Sequence, residues 1–211
     1  MIEYGKLARR LLPLAVVAAA AVGASAAKAP VAQAALGCTY PSMAPVFLRW
    51  LDPSSYFLAP GANFENGLGG WTASGGAGVV SGNETYNVGG PGSQSLALPT
   101  TSAVATTPTF CVSVDAPTLR LLVKNNGMSD GQLAVYMNFQ DANGKLQQVK
   151  VAALKPGNTS WNLTAPIVFA QYLSLPILKS GYANVSFTFK PNDTHGNWQI
   201  DDMYVDPCIS R

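Results

Sequence analysis

Short segments in which apolar and polar residues alternate restrict the fold of this 211-residue chain more than any other feature of its sequence. The odd-numbered positions from 133 to 139 are all apolar, and Val185, Phe187 and Phe189 alternate with polar residues in the same way. A period of two places one face of a strand against a core and the other face in solvent. Residues 141–144, Asp-Ala-Asn-Gly, have the composition of a hairpin turn between two such strands. The sequence therefore predicts an all-β fold, an antiparallel β-sandwich.

The other candidate strands are short, and residues that favour turns separate them. They occupy residues 79–80, 94–98, 104–114, 118–124, 146–154, 160–163 and 197–205. The one stretch with helical potential, residues 167–178, contains Pro176, which would interrupt a helix. We therefore expect a short turn or an irregular strand in that stretch.

Residues 1–34 have the composition of a secretory signal peptide. Lys6, Arg9 and Arg10 precede an apolar stretch from Leu11 to Val22, and small residues then offer two cleavage motifs of the A-x-A type. This stretch is short for a membrane-spanning helix, which needs about 20 apolar residues. We expect a secreted, extracellular protein with no stable membrane span after cleavage; an uncleaved membrane anchor is the alternative.

Removal of this segment changes the formal net charge from +2 to −1, because the segment holds four basic residues and one acidic residue. No cluster of Lys or Arg remains, which argues against nucleic acid and anionic membranes as partners. About 175 residues are left, enough for one core of moderate size. We divide them into an amino-terminal arm, residues 35–62, and one β-sandwich domain, residues 63–211, and expect a monomer.

Two adjacent carboxylates, Asp201 and Asp202, interrupt the apolar pattern of the last predicted strand. Neighbouring side chains of a strand point to opposite faces, so one of the two carboxylates is expected to face inward. A buried carboxylate without a partner is costly, and a bound cation is one partner that can satisfy it. The last strand is therefore a candidate for metal binding.

Two segments at opposite ends of the predicted domain carry a family resemblance. The first is Asn63-Phe64-Glu65-Asn66-Gly67-Leu68-Gly69-Gly70-Trp71, and the second is the pattern W-x-I-D-D-x-x-V that begins at Trp198. Together with the short strands between them, they resemble the galactose-binding-like jelly rolls, a superfamily that includes many carbohydrate-binding modules. The resemblance spans about residues 60–207, and the chain also resembles secreted bacterial proteins with a similar amino-terminal arm. It implies that the sandwich is a jelly roll.

The resemblance also implies a structural Ca²⁺ that bridges the first and last strands. Its ligands would be Glu65 with Asp201 or Asp202, and the Asn63 side chain or nearby carbonyl groups would complete the site. Ca²⁺ takes six to eight oxygen ligands, which carboxylates and the carbonyls of Gly-rich turns can supply. The alternative is that these carboxylates only cap turns and accept backbone hydrogen bonds.

Carbohydrate, such as a cell-envelope glycan, is the ligand that the resemblance implies. Sugar binding requires aromatic rings beside hydrogen-bonding groups. Tyr136, Asn138 and Gln140 would share the solvent face of one strand, with Arg120, Lys124 or Gln148 across from them. We take Tyr136, Asn138, Gln140 and Arg120 as the candidate ligand-binding residues; an ordinary solvated sheet is the alternative.

Motifs of the common enzyme classes are absent from the sequence. It contains no G-x-S-x-G, H-E-x-x-H or phosphate-binding glycine loop, and its single histidine, His195, lies in a predicted turn. We therefore expect a non-catalytic protein. The competing function is that of a structural or adhesive cell-envelope protein, which binds protein and exposes a larger apolar patch.

Three cysteines in an exported chain predict one disulfide and one unpaired thiol. The resembling secreted proteins imply a bond between Cys38 in the arm and Cys111, which would attach the arm to the sandwich. Pairing of Cys38 with Cys208 is the alternative, because the first and last strands of jelly rolls often lie side by side. The aromatic residues of the arm are expected to pack on its own domain.

Overall fold

The computed structural model describes residues 34–35, 37–113, 116, 118–127, 131–155, 159–173, 180–192 and 196–206. Residues 1–33, which hold nearly all of the predicted signal peptide, lie outside this part of the chain, as do Pro176, His195 and Cys208. Within the described residues, no helix is long and apolar enough to cross a membrane.

Strands make up most of the regular structure. In chain order they are β1 (Ala34–Ala35), β2 (Cys38–Thr39), β3 (Phe57–Leu58), β4 (Thr72–Ser74), β5 (Gly78–Ser81), β6 (Gln94–Leu98), β7 (Val104–Thr106), β8 (Phe110–Ser113), β9 (Thr118–Asn125), β10 (Leu133–Gln140), β11 (Leu146–Leu154), β12 (Asn162–Leu163), β13 (Ile167–Val168), β14 (Tyr182–Pro191) and β15 (Trp198–Asp206). Two short 3-10 helices cover Leu48–Trp50 and Ala170–Tyr172.

The strands form two large antiparallel sheets. The six-stranded sheet has the order β11-β10-β14-β7-β4, and β8 also pairs with β14. The seven-stranded sheet has the order β12-β9-β15-β6-β5, with β13 on β9 and β3 on β15. The short strands β1 and β2 pair with each other at the start of the arm. The predicted all-β sandwich is confirmed.

The core lies between the two sheets and follows the predicted alternation. Leu133, Val135 and Met137 of β10 are fully buried, and their neighbours Phe187 and Phe189 of β14 are buried beside them. The two tryptophans that belong to the opening and closing motifs, Trp71 and Trp198, are also buried in this core. The period of two in the sequence therefore identified the inward face of the central strands.

The predicted strand 104–114 is divided into β7 and β8. Pro108, which lacks an N–H group, interrupts the hydrogen-bond ladder between them. Both pieces still pair with β14, and the Thr107 side chain replaces a backbone partner by accepting the N–H of Phe187 at 3.0 Å. Residues 167–178 were expected to form a short turn or an irregular strand. The described part of this stretch contains β13, which is followed by the second 3-10 helix.

The arm wraps from one sheet to the other. Near its start, the Cys38–Cys111 disulfide attaches it to β8 of the six-stranded sheet. Further along, Phe47 and Tyr56 are buried in a second apolar cluster against Leu122 and Tyr204 of the seven-stranded sheet. The expectation that the arm aromatics pack on their own domain is confirmed, and the pairing of Cys38 with Cys208 does not form.

Candidate functional site

The carboxylates of Asp201 and Asp202 lie at a break in β15. The pairing of β15 with β9 shifts register between Asp201 and Tyr204, and Asp202 has a φ of +46°. A bulge of this kind adds a residue to one strand and interrupts the alternation of side chains. Both carboxylates are therefore buried against one loop: Asp201 accepts the N–H of Glu84 at 3.1 Å, and Asp202 accepts that of Gly89 at 2.8 Å. Strict alternation, which would have turned only one of them inward, does not hold here.

The same loop, residues 82–93, contributes a third buried carboxylate, that of Glu84. Its two oxygens accept the N–H groups of Tyr86 and Val88. Glu84 was not among the predicted site residues, because an acidic residue in a loop rich in Gly and Asn is usually exposed. The signal that could have found it is its place: the loop leads directly into β6, which pairs with the last strand.

Glu65 is attached to the far end of this loop. Its carboxylate accepts the N–H groups of Ser93 and Gln94, both at 2.8 Å, and these hydrogen bonds hold its pKa below the usual range. Asn83 lies close to Glu65, since a Cβ on Gly92 would contact both side chains. The Asn63 side chain is half-buried and forms no hydrogen bond with the rest of the described chain.

Glu65, Glu84, Asp201 and Asp202 together form what we call the carboxylate cluster, and burial has the largest effect on its two aspartates. Burial raises the pKa of Asp201 to about 8, and the charge of Asp202 adds to the rise. Burial likewise raises the pKa of Asp202 to about 6, with repulsion from Glu84 and Glu65. No three His, Cys, Asp or Glu side chains of the described residues are grouped closely enough to hold a metal ion on their own. A cation here would need further oxygen ligands.

Ser95 of β6 offers one such oxygen. Leu96 pairs with Ile200 and both side chains are buried in the core, so Ser95 lies on the opposite, outer face of the sheet with Asp201. Ser95 is fully buried, and its Oγ has no hydrogen-bond partner among the described residues. A buried, unsatisfied hydroxyl therefore lies on the same face of the sheet as Asp201.

A groove of about 520 Å³ lies on the outer face of the six-stranded sheet, away from the carboxylate cluster. Its walls come mainly from β10, β14 and the turn that joins β10 to β11. Hydrogen-bonding side chains predominate: Thr109, Asn138, Gln140, Asp141, Ser180, Asn184 and Ser186. Tyr182, which is 39% exposed, and Leu146, which is 74% exposed, add apolar surface.

The polar side chains on this face form a continuous network across four strands. Asn138 Nδ2 donates to Thr188 Oγ1 at 2.9 Å and to Ser186 Oγ at 3.2 Å. Asn138 Oδ1 accepts a hydrogen bond from Gln148 at 2.7 Å, and Thr188 continues the network to Thr106 at 2.9 Å. Asn138 is therefore occupied within the protein and orients its neighbours.

No protein-family model matches the chain, and no curated protein matches its sequence. Solved structures do match. One contains the CBM22-1 and GH10 modules of the Clostridium thermocellum N-terminal endo-1,4-β-D-xylanase 10B complexed with xylohexaose, with a TM-score of 0.52 and 14% identity over 69% of this chain and only 27% of that chain. A xylan-binding domain from CBM 22 gives a TM-score of 0.50 and 18% identity over 76% of this chain and 99% of that chain. This chain has the jelly-roll fold of carbohydrate-binding modules. At these identities the likeness shows the fold, so the ligand has to be argued from the groove.

In this jelly roll, three of the candidate ligand-binding residues share one face of β10 as predicted. Asn138 and Gln140 line the groove, and Tyr136 lies on the same outer face two residues before Asn138. Gln148 faces them from β11, since it pairs directly with Asn138. Tyr182 was not among the predicted ligand-binding residues, because its position depends on the pairing of β14 with β10, and the pattern within a strand does not show which strands pair.

The assignment of Arg120 to this face is wrong. Arg120 lies on β9 in the other sheet, where its guanidinium forms a salt bridge with Asp52 at 2.8 Å and lies 5.2 Å from the ring centre of Phe47. The chain crosses from one sheet to the other between β9 and β10, so strands that are adjacent in sequence are not neighbours in space. Arg120 therefore holds the arm, and Lys124 of the same strand is likewise remote from the groove.

Proposed function

We propose that this protein is a non-catalytic carbohydrate-binding protein that acts outside the cell, and that the groove on the six-stranded sheet binds the glycan. The observation that supports this most directly is the composition of the groove, where amides and hydroxyls lie beside the exposed ring of Tyr182. Aromatic rings stack on the apolar faces of sugars, and polar side chains bond to sugar hydroxyls. The predicted signal peptide and the disulfide fit an extracellular protein.

The internal network favours binding because it fixes the polar side chains before a ligand arrives. Asn138 and Thr188 are already hydrogen-bonded to neighbours across the sheet. Side chains that are ordered in the free protein lose less conformational entropy on binding. Gln140 and Asn184, which are exposed in the groove, are then the groups that would contact sugar hydroxyls.

A β-1,4-linked xylan is the first ligand to test. The similar solved structures include the CBM22-1 and GH10 modules of a xylanase, complexed with xylohexaose, and a xylan-binding domain from CBM 22.

Affinity electrophoresis in gels that contain soluble xylan tests this function. The protein should be retarded, and Tyr182→Ala and Gln140→Ala should each reduce the retardation. Tyr172→Ala is a matched control, because Tyr172 is 37% exposed and does not line the groove. Equal migration with and without xylan, and with galactan, mannan and β-glucan in its place, would refute carbohydrate binding.

The adhesive alternative predicts a large exposed apolar patch. The exposed large apolar side chains of the described residues are Leu48, Leu51, Leu146, Val168, Tyr172 and Tyr182. Two of these six, Leu146 and Tyr182, belong to the groove, where a polar surrounding suits a sugar better than a protein partner. Glycan binding is therefore the stronger proposal.

We further propose that the carboxylate cluster binds a structural Ca²⁺. The residues fit such an ion in chemistry. Every side-chain donor is an oxygen, three of the carboxylates are buried, and the buried Ser95 hydroxyl has no hydrogen-bond partner among the described residues. The charge of Asp202 also raises the pKa of Asp201. A carboxylate has about four acceptor sites, so the backbone hydrogen bonds to Asp201 and Asp202 leave capacity for a cation. Backbone carbonyls and the nearby Asn83 would supply further ligands. The ion would neutralise the buried charge and attach the loop 82–93 to the last strand.

Thermal unfolding with CaCl₂ and with a chelator tests the calcium proposal. Ca²⁺ at about 100 times its dissociation constant should stabilise the folded state by about 2.7 kcal/mol. Asp202→Asn should abolish this response, whereas Asp141→Asn, in the hairpin turn after β10, should retain it. Identical melting curves for the unmodified protein in both solutions would refute calcium binding and leave the glycan proposal intact.

A further inference from the structure

The start of the arm lies at the edge of the groove. The Cys38–Cys111 disulfide attaches the arm to β8, and Cys111 pairs directly with Asn184 of β14. Asn184 lines the groove, two residues from Tyr182. The disulfide therefore fixes the arm beside the residues that we propose to bind glycan.

Gly37, the residue before this disulfide, supports the ring of Tyr182. Its φ is +96°, and a Cβ built on it would lie 2.6 Å from Cδ1 and 2.9 Å from Cε1 of Tyr182. Any residue other than glycine at position 37 would be strained at this φ. Its Cβ would also require a shift of the arm or of the Tyr182 ring. The Tyr182 ring thus has one side covered by the arm, and 39% of the residue remains exposed.

A second attachment fixes the same part of the arm. Tyr40 accepts the backbone N–H of Ser113 at 3.0 Å and shares a further 3.0 Å hydrogen bond with the Ser113 hydroxyl. Its ring also stacks on that of Phe57, with ring centres 4.8 Å apart. Ser113 is the residue that pairs with Tyr182 in the sheet. The arm is therefore attached at Cys38 and at Tyr40 to β8, and β8 pairs directly with the strand that carries Tyr182.

We propose that residues 37–40 of the arm are part of the glycan-binding site, where they hold the Tyr182 ring as an aromatic wall of the groove. Tyr182 contacts the sugar in this arrangement, and Gly37, Cys38 and Tyr40 are positioning residues. This inference rests on the proposed function. It makes the disulfide a determinant of affinity in addition to stability.

A double-mutant cycle on xylan affinity tests it. Tyr182→Ala should weaken binding of soluble xylan by roughly three- to tenfold, the range expected for one aromatic contact. Gly37→Ala, which keeps the disulfide, and the double replacement of Cys38 and Cys111 by Ala should each weaken it by a similar factor. Combined with Tyr182→Ala, neither change should weaken binding further, because both act through the same ring. Tyr182→Phe should retain affinity, and circular dichroism below the melting transition confirms that each variant is folded.

Two outcomes would overturn the proposal, and each is distinct from a failure of the proposed function. Xylan affinity that is unchanged by Gly37→Ala and by loss of the disulfide would show that the arm does not position Tyr182. Losses that multiply with that of Tyr182→Ala would show that the arm acts elsewhere. Absence of binding by the unmodified protein would instead refute the proposed function itself.

Discussion

Arg120→Met should weaken the attachment of the arm and leave glycan binding unchanged. Methionine keeps the unbranched apolar stem of arginine but ends before the guanidinium group, so it has no charge and no N–H donor. The substitution therefore removes the contacts of the guanidinium group and preserves most of the packing. It also distinguishes the two roles considered for Arg120: ligand binding, as predicted from the sequence, and attachment of the arm, as its position on β9 indicates.

The expected loss in the free energy of unfolding is about 2.5–3 kcal/mol. Arg120 and Asp52 form a 2.8 Å salt bridge with side chains that are 12% and 19% exposed, so the pair lies between surface pairs, worth about 0–1 kcal/mol, and buried pairs, whose disruption costs about 3–5 kcal/mol. Asp52 keeps the hydrogen bond from the Tyr56 hydroxyl at 2.7 Å, which limits the cost to about 2 kcal/mol. Loss of the cation–π contact with Phe47 adds about 0.5–1 kcal/mol.

Denaturant titration and thermal unfolding measure this loss, which for a domain of this size corresponds to a fall in Tm of roughly 5–10 °C. Lys124→Met on the same strand is the control. Its ammonium group lies 6.0 Å from the ring centre of Trp161, so it should lose far less. A loss below about 0.5 kcal/mol for Arg120→Met would refute the estimate. Weaker xylan binding by the folded variant would refute the placement of Arg120 outside the site.

Acid should destabilise the protein partly through Asp52: burial would raise its pKa, but hydrogen bonds from Tyr56 and other neighbours outweigh burial and lower it. Because the folded pKa is the lower one, the stabilisation is present above the ordinary carboxyl pKa and is lost as the pH falls, so Asp52→Asn should flatten the decline of Tm below about pH 4. Replacement of both Cys38 and Cys111 by Ala should cost about 4 kcal/mol in denaturant titrations, the chain-entropy value for a sequence separation of 73; a loss under 1 kcal/mol would contradict that account. Asn138→Ala should weaken xylan binding by roughly three- to tenfold, because it removes the hydrogen bonds that orient Ser186, Thr188 and Gln148. Unchanged retardation in xylan gels would contradict this prediction.

The strands of this fold could be predicted from local pattern, whereas their pairing could not. The alternation in residues 132–140 identified both faces of β10 correctly, because side-chain direction in a strand depends only on position along the chain. Which strand lies beside it depends on where the chain crosses between sheets. Of the three residues expected across from Asn138, Gln148 lies there because a hairpin joins β10 to β11, whereas Arg120 and Lys124 lie on β9 in the other sheet.

The carboxylate cluster shows a second limit. Asp201 and Asp202 were recognisable as unusual in an apolar strand. The bulge that turns both toward one loop, however, requires a φ of +46° at Asp202, which the neighbouring sequence does not indicate. Glu84 was missed because its burial results from the packing of a loop over the sheet. Long-range packing, and not residue type, decides which acidic residues of this chain are buried.

The arm explains why the groove, and not the opposite face of the sandwich, is available to a ligand. A two-sheet sandwich has two outer faces, and on the seven-stranded sheet the arm residues Phe47 and Tyr56 pack against Leu122 and Tyr204. The loop 82–93 covers the carboxylates farther along the same face. The six-stranded sheet carries a polar network on its outer face, and the disulfide at Cys38 attaches the arm to this sheet at the edge of the groove. The arm therefore covers one outer face of the sandwich and borders the proposed glycan site on the other. Loss of the Cys38–Cys111 disulfide should consequently change the affinity for glycan. Loss of the Arg120 contacts should change only the stability of the fold.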